Sequence, residues 1–89
     1  MATEIIHPYV TKDKNIGRGK PIIKGTRTRV ANIVAYYKLG YSSEELSRAF
    51  PHLSLSQIYD ALSYYHDHAA QIDRDIEKNK EENFIDYTS

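Results

Sequence analysis

The stretch that decides the fold is residues 41–65, which read YSSEELSRAFPHLSLSQIYDALSYY. It contains two capping boxes, in each of which a serine is followed three positions later by a side chain that can return its hydrogen bond. The two boxes are Ser42 with Glu45 and Ser54 with Gln57. Pro51 lies between them and ends the first helix, because proline has no N–H to donate. The pattern predicts two helices joined by a short turn, as in a helix-turn-helix.

Helical periodicity continues on both sides of this stretch. Upstream, apolar residues from Val30 to Tyr37 recur at helical spacing, with Thr28 as the predicted N-cap and Gly40 just past the end. Downstream, apolar side chains recur every three or four positions for about six turns. They are Leu55, Ile58, Tyr59, Leu62, Tyr65, Ala69, Ile72 and Ile76. We therefore predict one long helix over residues 55–76.

The two ends of the chain have other patterns. Residues 1–28 hold three of the four glycines and two of the three prolines, which predicts a basic N-terminal arm or short hairpin. Residues 77–89 are largely polar and predict a flexible C-terminal tail. The predicted fold is mainly α. It is a three-helix, homeodomain-like helix-turn-helix at residues 29–76, with a short extended or β-hairpin N-terminal arm and a long C-terminal helix.

The composition limits the class of protein. A chain of 89 residues has room for one domain and buries only about 60% of its unfolded surface, so its own core is small. The absence of cysteine excludes disulfides, thiol nucleophiles and cysteine-ligated zinc. No run approaches the ~18 apolar residues of a membrane span, and no signal peptide is recognisable. We expect a cytoplasmic protein that does not bind a membrane.

The net charge of zero conceals a separation along the chain. Residues 1–40 carry eight basic and two acidic side chains, a net charge of +6, whereas residues 41–89 carry −6. Such asymmetry is typical of chains whose two ends meet different partners. It fits equally well a monomer whose halves attract each other, and both interpretations stay open.

The helix that follows the turn is a candidate DNA-reading helix, because its N-terminal turn enters the major groove in this motif. Its candidate contacts are Ser54, Ser56 and Gln57, and a glutamine can bond an adenine edge with two hydrogen bonds. Against this, phosphates would repel Asp60, and no Lys or Arg lies between residues 53 and 72. Three short helices also build cores that have no role in DNA binding, so this alternative remains.

The basic arm is a second indication of nucleic acid. Its cations alternate with Gly, Pro and Thr, and each contact with a phosphate adds affinity that falls with salt. The candidate DNA-binding cations are Arg18, Lys20, Lys24, Arg27 and Arg29. The alternative is that Arg27 or Arg29 pairs with the acidic half of the chain and orders the arm.

Enzymatic chemistry finds little support in the sequence. The run Gly17–Lys20 lacks the spacing of a phosphate-binding Walker motif and is interpreted as a turn. His66 and His68 are two positions apart and point in different directions on a helix, and no third ligand is in register. No nucleophile signature is present. We therefore predict a protein that is not an enzyme and has no cofactor or metal.

The eight tyrosines are numerous for a chain of this length. Tyr36-Tyr37 and Tyr64-Tyr65 are doublets on predicted helices, so one ring of each pair can face outward as an interface anchor. Tyr41 is predicted to pack back on Tyr36. A small core together with spare aromatic surface predicts a homodimer. Partly buried surface tyrosines would account for the same pattern.

Several of these segments together resemble a known family. Residues 19–30, GKPIIKGTRTRV, resemble the GxPxIxGTRxxV signature of a small prokaryotic family known as domain of unknown function 433. The similarity continues through Leu39–Ser42, Phe50–Ser54 and Gln57–Tyr65, and covers roughly residues 5–73. The resemblance implies a homeodomain-like helix-turn-helix protein of antitoxin type. Such a protein would neutralise a PIN-like ribonuclease toxin and, as a dimer, repress its own operon.

The acidic second half then has a predicted role as the toxin-binding part. In this hypothesis, Arg74 or Lys78 inserts into the acidic metal site of the nuclease. Phe84, Ile85 and Tyr87 supply apolar anchors. Two other classes remain as alternatives: a protein-interaction or dimerisation module that does not bind DNA, and a small hydrolase or nuclease that uses the histidines and acids.

Overall fold

A computed structural model describes residues 7–88, with side chains described up to Lys80. It confirms a mainly α fold with a short N-terminal hairpin. The elements in chain order are β1 (Val10–Thr11), β2 (Ile22–Ile23), α1 (Val30–Lys38), α2 (Ser43–Ala49), α3 (Leu55–Asp67) and α4 (Ala69–Thr88). No helix in the described part of the chain is long and apolar enough to span a membrane.

The hairpin pairs its two strands antiparallel, with Val10 opposite Ile23 and Thr11 opposite Ile22. The loop between the strands contains a 3₁₀ turn at Gly17–Gly19, whose three residues all have positive φ. Two glycines supply most of this left-handed backbone at little steric cost. Ile22 and Ile23 are buried, so the hairpin covers one side of the helical core.

The hydrophobic core is formed by all four helices together with Ile23 of the hairpin and Leu53 of the α2–α3 turn. On α1 the buried residues are Val30, Ala31, Ile33 and Val34. The helical spacing predicted Val30, Ile33 and Val34 correctly, whereas Tyr37, the fourth predicted position, is 36% exposed. The predicted N-cap of this helix was wrong. Arg29 occupies the cap position without a side-chain bond, and the hydroxyl of Thr28 bonds to His52 instead.

Both predicted capping boxes are present. The Ser42 hydroxyl accepts the Glu45 N–H at 3.2 Å, and the Glu45 carboxylate accepts the Ser42 N–H at 2.8 Å. The second box repeats this arrangement at the start of α3. The short connection between α2 and α3 is closed by a bond from the Leu53 N–H to the Phe50 carbonyl. The two helices therefore pack together around a fixed turn, with Leu53 buried beneath it.

The buried face of α3 differs from the apolar stripe that the sequence predicted. Ile58, Ala61 and Tyr64 are the buried residues of this helix, whereas Leu55 and Tyr59 are 42% and 52% exposed. Leu53, which precedes the helix, already fills the core at this end. The face that carries Leu55 and Tyr59 consequently points to solvent.

The prediction of one long helix over residues 55–76 was also wrong. His68 leaves the helical conformation, at φ −134° and ψ 40°, and separates α3 from α4. Its ring stacks on Tyr64, with 4.3 Å between the ring centroids. The break lets α4 turn back and pack on α1, which buries Ile72 and Ile76. Backbone helix continues through residues 77–88, for which the sequence predicted a flexible tail.

Candidate nucleic-acid interface

The solvent-facing surface at the start of α3, formed by Ser54, Leu55, Ser56, Tyr59 and Ser63, is called the α3 face here. All five side chains are exposed. Leu55 and Tyr59 are four positions apart and therefore lie on the same side of the helix. The α3 face thus offers two serine hydroxyls at the helix N-terminus, with an apolar side chain and a phenol beside them.

Two of the predicted base-reading residues are engaged in capping. The Ser54 hydroxyl accepts the Gln57 N–H at 3.1 Å, and the Gln57 side-chain oxygen accepts the Ser54 N–H at 2.7 Å. Gln57 is half-buried, whereas Ser56 is exposed and makes no part of the cap. Ser54 and Gln57 consequently hold the start of the helix in place, and Ser56 is the predicted contact that faces solvent.

A basic loop is fixed beside the turn that leads into α3. The Thr28 hydroxyl and the His52 Nε2 are 2.7 Å apart, which joins the end of the loop to the α2–α3 connection. The loop itself is closed by the Thr26 hydroxyl, which donates to the Ile23 carbonyl at 2.8 Å. Lys24 and Arg27 lie within this loop and are exposed. Two of the five predicted cations thus lie in a loop whose end is joined to the turn that precedes α3.

Asp60 does not place an unpaired carboxylate on the α3 face. Its Oδ2 accepts the N–H of Tyr9 at 2.8 Å, and its Oδ1 lies 3.5 Å from the His7 Nδ1. The ring of His7 continues to Asp67, with 2.9 Å between its Nε2 and the carboxylate. The carboxylate of Asp60 is thus used to attach the hairpin to α3, which reduces the repulsion of phosphates that the sequence suggested.

The other three predicted cations lie in a different place. They line a cleft between the hairpin loop and α4, and this α4 cleft is lined by Arg18, Lys20, Arg29, Asp75, Lys78 and Asn79. The Lys20 Nζ is 3.2 Å from the Asp75 Oδ1, and the Arg29 guanidinium donates to the Asn79 side-chain oxygen at 3.1 Å. The alternative in which Arg29 orders the arm through the second half of the chain matches this geometry, with an amide as the acceptor.

The predicted partner-binding residues are placed only in part. Arg74 is exposed on α4, where it lines a surface depression with Asp73, Glu77 and Lys78. Lys78 lies between this depression and the α4 cleft, and lines both. The side chains of the predicted apolar anchors lie outside the described residues. These anchors are Phe84, Ile85 and Tyr87.

The exposed aromatic residues gather at the end of α1. The rings of Tyr36 and Tyr41 stack with 5.1 Å between centroids, as predicted, and Phe50 packs against Tyr36 at 5.5 Å. Leu39 beside them is 75% exposed. We call these four residues the α1 patch. His66 and His68 point into separate ring contacts, and no group of three metal-ligand side chains occurs within the described residues.

A polar cluster ties three helices together on the far side of α1. The Asp73 carboxylate of α4 accepts hydrogen bonds from the Lys38 ammonium at 2.8 Å and from the Tyr65 hydroxyl at 3.1 Å. The hydrogen bond from Lys38 lowers the pKa of Asp73, and the same bond raises the pKa of Lys38. This cluster supports the position of α4, which forms one wall of the α4 cleft.

Sequence reasoning missed three features of these surfaces. Leu55 and Tyr59 were assigned to the core, although the signal against this was available, since Leu53 already supplies an apolar side chain at the helix start. Asp75 was not recognised as a buried acid, because it is one of many charged residues on α4. Asn79, fifty residues from Arg29 in the chain, carried no local signal at all.

Comparison with known proteins identifies the family. The sequence matches the family "Protein of unknown function (DUF433)" over residues 10–65. The fold is similar to the crystal structure of a DUF433 member protein from Anabaena variabilis, with a TM-score of 0.71 and 31% sequence identity. That similarity covers 76% of this chain and 67% of the other chain. No curated protein matches the sequence. Because the match spans more than half of the residues, the chain belongs to the DUF433 family.

Proposed function

We propose that this protein is an antitoxin-like DNA-binding protein, which binds operator DNA through the α3 face and neutralises a PIN-like ribonuclease toxin through its C-terminal part. The observation that carries the DNA-binding half is the hydrogen bond between Thr28 and His52. It holds the basic loop with Lys24 and Arg27 beside the exposed N-terminal turn of α3. Cations and a reading helix are thereby presented together.

The chemistry of this surface fits a DNA duplex. Lys24 and Arg27 would contact phosphates, which position a protein on DNA without reading sequence. The N-terminus of α3 carries partial positive charge and favours a phosphate nearby. Ser56 would reach a base edge, and Leu55 would contact the methyl group of a thymine. Gln57 and Ser54 would act indirectly, because their reciprocal cap fixes the first turn.

The test of the DNA-binding half is a salt-dependent mobility shift with the DNA upstream of the gene. We expect binding at low salt, and a double variant, Lys24→Gln with Arg27→Gln, should reduce the slope of log K against log salt by about two. Lys80→Gln is the matched control, since this exposed lysine lies on α4, outside the basic loop and the α3 face. No binding at low salt, or equal loss in the control, would contradict the proposal.

The toxin half rests on family resemblance and on the exposed surface of α4. Arg74 is available there to enter an acidic nuclease site, and Lys78 lies one turn further along the helix. Co-expression with the product of a neighbouring nuclease gene should relieve growth inhibition and yield a co-purifying complex. Arg74→Glu should weaken the complex, whereas Lys24→Glu should not.

Truncation can test the predicted anchors directly. A stop after Lys80 removes Phe84, Ile85 and Tyr87 but keeps Ile72 and Ile76, which are part of the core. We expect the shortened protein to fold and to lose toxin binding. Full toxin binding by this truncated protein would remove the predicted role of the anchors.

The second candidate function is a protein-interaction or dimerisation module that does not bind DNA. The α1 patch favours it, because Leu39 is 75% exposed next to the stacked rings of Tyr36 and Tyr41. Analytical ultracentrifugation of the native chain and of Leu39→Lys distinguishes the cases. A dimer that dissociates in the variant, together with no DNA binding, would favour this candidate.

A further inference from the structure

The α4 cleft has a lining that the proposed DNA contact does not use. Among the described residues it brings together four cations and one carboxylate, from a hairpin loop, the start of α1 and the middle of α4. Three of these cations are far apart in sequence from the fourth, Lys78, so only the fold assembles them. A cluster of like charges costs free energy unless an anion or a solvent shell offsets it.

One side chain in the cleft is incompletely satisfied. Asp75 is buried, with a side chain only 7% exposed, and its Oδ1 pairs with the Lys20 ammonium at 3.2 Å. Its Oδ2 is buried as well and has no hydrogen-bond partner among the described residues. An ionised carboxylate accepts hydrogen bonds and donates none. A hydrogen-bond donor would stabilise this unpaired oxygen. Because Asp75 lines the cleft, a hydroxyl group of a bound ligand is a donor that could approach it there.

The size of the cleft fits a small oxyanion. Its volume is about 70 Å³, whereas a single water needs only ~10–15 Å³ measured in this way. The side chains that reach into it are of the type that recognise phosphate, since a guanidinium offers two parallel donors and an ammonium offers a compact charge. The side-chain amide of Asn79 is held by Arg29 at the same wall.

We propose that the α4 cleft binds a phosphate group accompanied by a hydroxyl donor, as found in inorganic phosphate or in a ribonucleoside monophosphate. The cations Lys20, Arg29 and Lys78 attract the phosphate oxygens. The Oδ2 of Asp75 accepts the hydrogen bond of the hydroxyl. This assignment does not depend on the proposed DNA binding, because it uses other residues and another ligand.

The binding chemistry lies in the side chains and differs from that of a phosphate-binding loop. The N–H groups of Gly19 and Lys20 are already bonded to the Ile16 and Gly17 carbonyls. The glycines have a steric role instead. A side chain at Gly17, where φ is +59°, would place its Cβ 3.2 Å from the Arg29 Nε. The absence of a side chain there lets the guanidinium lie over the loop.

The unpaired oxygen of Asp75 predicts that the cleft prefers phosphate to sulfate. Inorganic phosphate at pH 7 retains an O–H group, whereas sulfate has none, although the two ions have the same shape. A site that accepts a hydrogen bond from its ligand rejects the analogue that lacks the donor, because the acceptor is then left unpaired. Phosphate should therefore bind at least about tenfold more tightly than sulfate. The phosphodiesters of DNA also lack the hydroxyl and should not compete.

The experiment is an NMR titration of the ¹⁵N-labelled full-length protein at constant ionic strength. Inorganic phosphate, a ribonucleoside monophosphate, sulfate and a short DNA duplex are added in separate arms. We expect phosphate and the nucleotide to shift the amides of residues 17–20, 29 and 75–79. Whichever of these two ligands binds more tightly shows whether the cleft prefers free phosphate or the phosphate group of a nucleotide. Sulfate should shift these amides only at much higher concentration.

Variants separate the contributions of charge and donor. Lys78→Gln should weaken phosphate binding about tenfold, because a charge-assisted hydrogen bond is lost. Asp75→Asn should reduce the preference for phosphate over sulfate, since the new amide can donate to either ion. Lys80→Gln, an exposed lysine on the same helix, is the matched control and should have no effect.

Three outcomes would overturn the proposal. The first is that neither phosphate nor the nucleotide shifts the cleft amides. The second is that sulfate or the DNA duplex shifts the cleft amides of the native protein at concentrations as low as phosphate does. The third is that Lys80→Gln weakens binding as much as Lys78→Gln, which would indicate general electrostatic attraction. Because Lys78 is exposed, its substitution leaves the fold intact and keeps the test decisive if Asp75→Asn fails to fold.

Discussion

The α3 face and the α4 cleft are both basic in their surroundings, but they are built in different ways. The α3 face depends on contacts close in sequence: a capping box three residues wide and a loop closed by Thr26 on Ile23. The α4 cleft depends on Lys20 reaching Asp75 and Arg29 reaching Asn79, fifty residues away. The cations of the arm, which form one run in the sequence, are thus divided by the fold between two separate surfaces.

The largest effect should follow from shortening a buried side chain of α4, which leaves a cavity in the core. Ile72 is fully buried between α4 and the rest of the core, and Ile72→Ala should reduce the free energy of unfolding by about 2–5 kcal/mol. Phosphate binding in the α4 cleft should weaken before DNA binding does, because α4 forms the cleft but not the α3 face. Urea denaturation and the two binding assays check this.

A milder variant and a surface control complete that measurement. Ile72→Val should cost only about 0.5–1.5 kcal/mol and keep the protein folded. Leu39→Ala, at a side chain 75% exposed, should change stability by less than about 0.5 kcal/mol. Equal losses of phosphate and DNA binding in Ile72→Val would show that the two regions are not independent.

Substitutions of the two capping serines provide a matched pair of variants that tests the α3 face. Ser54→Ala and Ser42→Ala should each reduce stability by about 1 kcal/mol, because each removes one acceptor from a helix N-terminus. Ser54→Ala should in addition weaken DNA binding, since its helix carries the α3 face. Thermal unfolding and the mobility shift measure both effects. Equal DNA affinity in the two variants would argue against the α3 face as the contact surface.

The smallest effect concerns pH and the cluster that supports α4. The folded-state pKa of Asp73 is lowered below its ordinary value of 3.8, first by the hydrogen bond from Lys38. A lowered pKa stabilises the fold above the unfolded-state pKa, and this stability is lost as pH falls through the folded-state pKa. Asp73→Asn should therefore be slightly less stable than the native protein at neutral pH.

Acid unfolding curves test this assignment. The difference in stability between the native protein and Asp73→Asn should disappear as pH falls through the folded-state pKa of Asp73, because the native carboxyl becomes protonated there. At the start of α2, hydrogen bonds with Ser42, first that of its backbone N–H, lower the pKa of Glu45. Glu45→Gln should show the same sign of pH dependence without any change in phosphate binding. A difference for Asp73→Asn that persists below the folded-state pKa of Asp73 would contradict the assigned cause.

The local features of the fold could be predicted from the sequence, and the long-range ones could not. Both capping boxes and three of the four predicted core positions of α1 follow from residues three or four positions apart and were predicted correctly. The break at His68 could not be predicted, because helical periodicity continues unchanged on both sides of it. The helical repeat of α3 alone places Leu55 and Tyr59 in the core. The one signal against this is Leu53, just outside the helix, which already fills this end of the core.

The same distinction between local and long-range contacts applies to the residues of the candidate site. Ser56, Lys24 and Arg27 were predicted contacts, and all three are exposed, with the loop of Lys24 and Arg27 joined by Thr28 to the turn before α3. The separation of Lys20 and Arg29 from them could not be foreseen, because it depends on α4 turning back across α1. Charge patterning gave the sign of each half of the chain but not which residues meet.

The bond between Arg29 and Asn79 also gives the cleft an entropic cost that the capping boxes do not carry. It closes a loop of fifty residues, whereas each capping box joins residues three positions apart. The entropy lost on closing a loop grows with its length, so the walls of the cleft are held together against a larger chain entropy than the capped starts of α2 and α3. A substitution that weakens this bond should therefore loosen the cleft without loosening either capped helix.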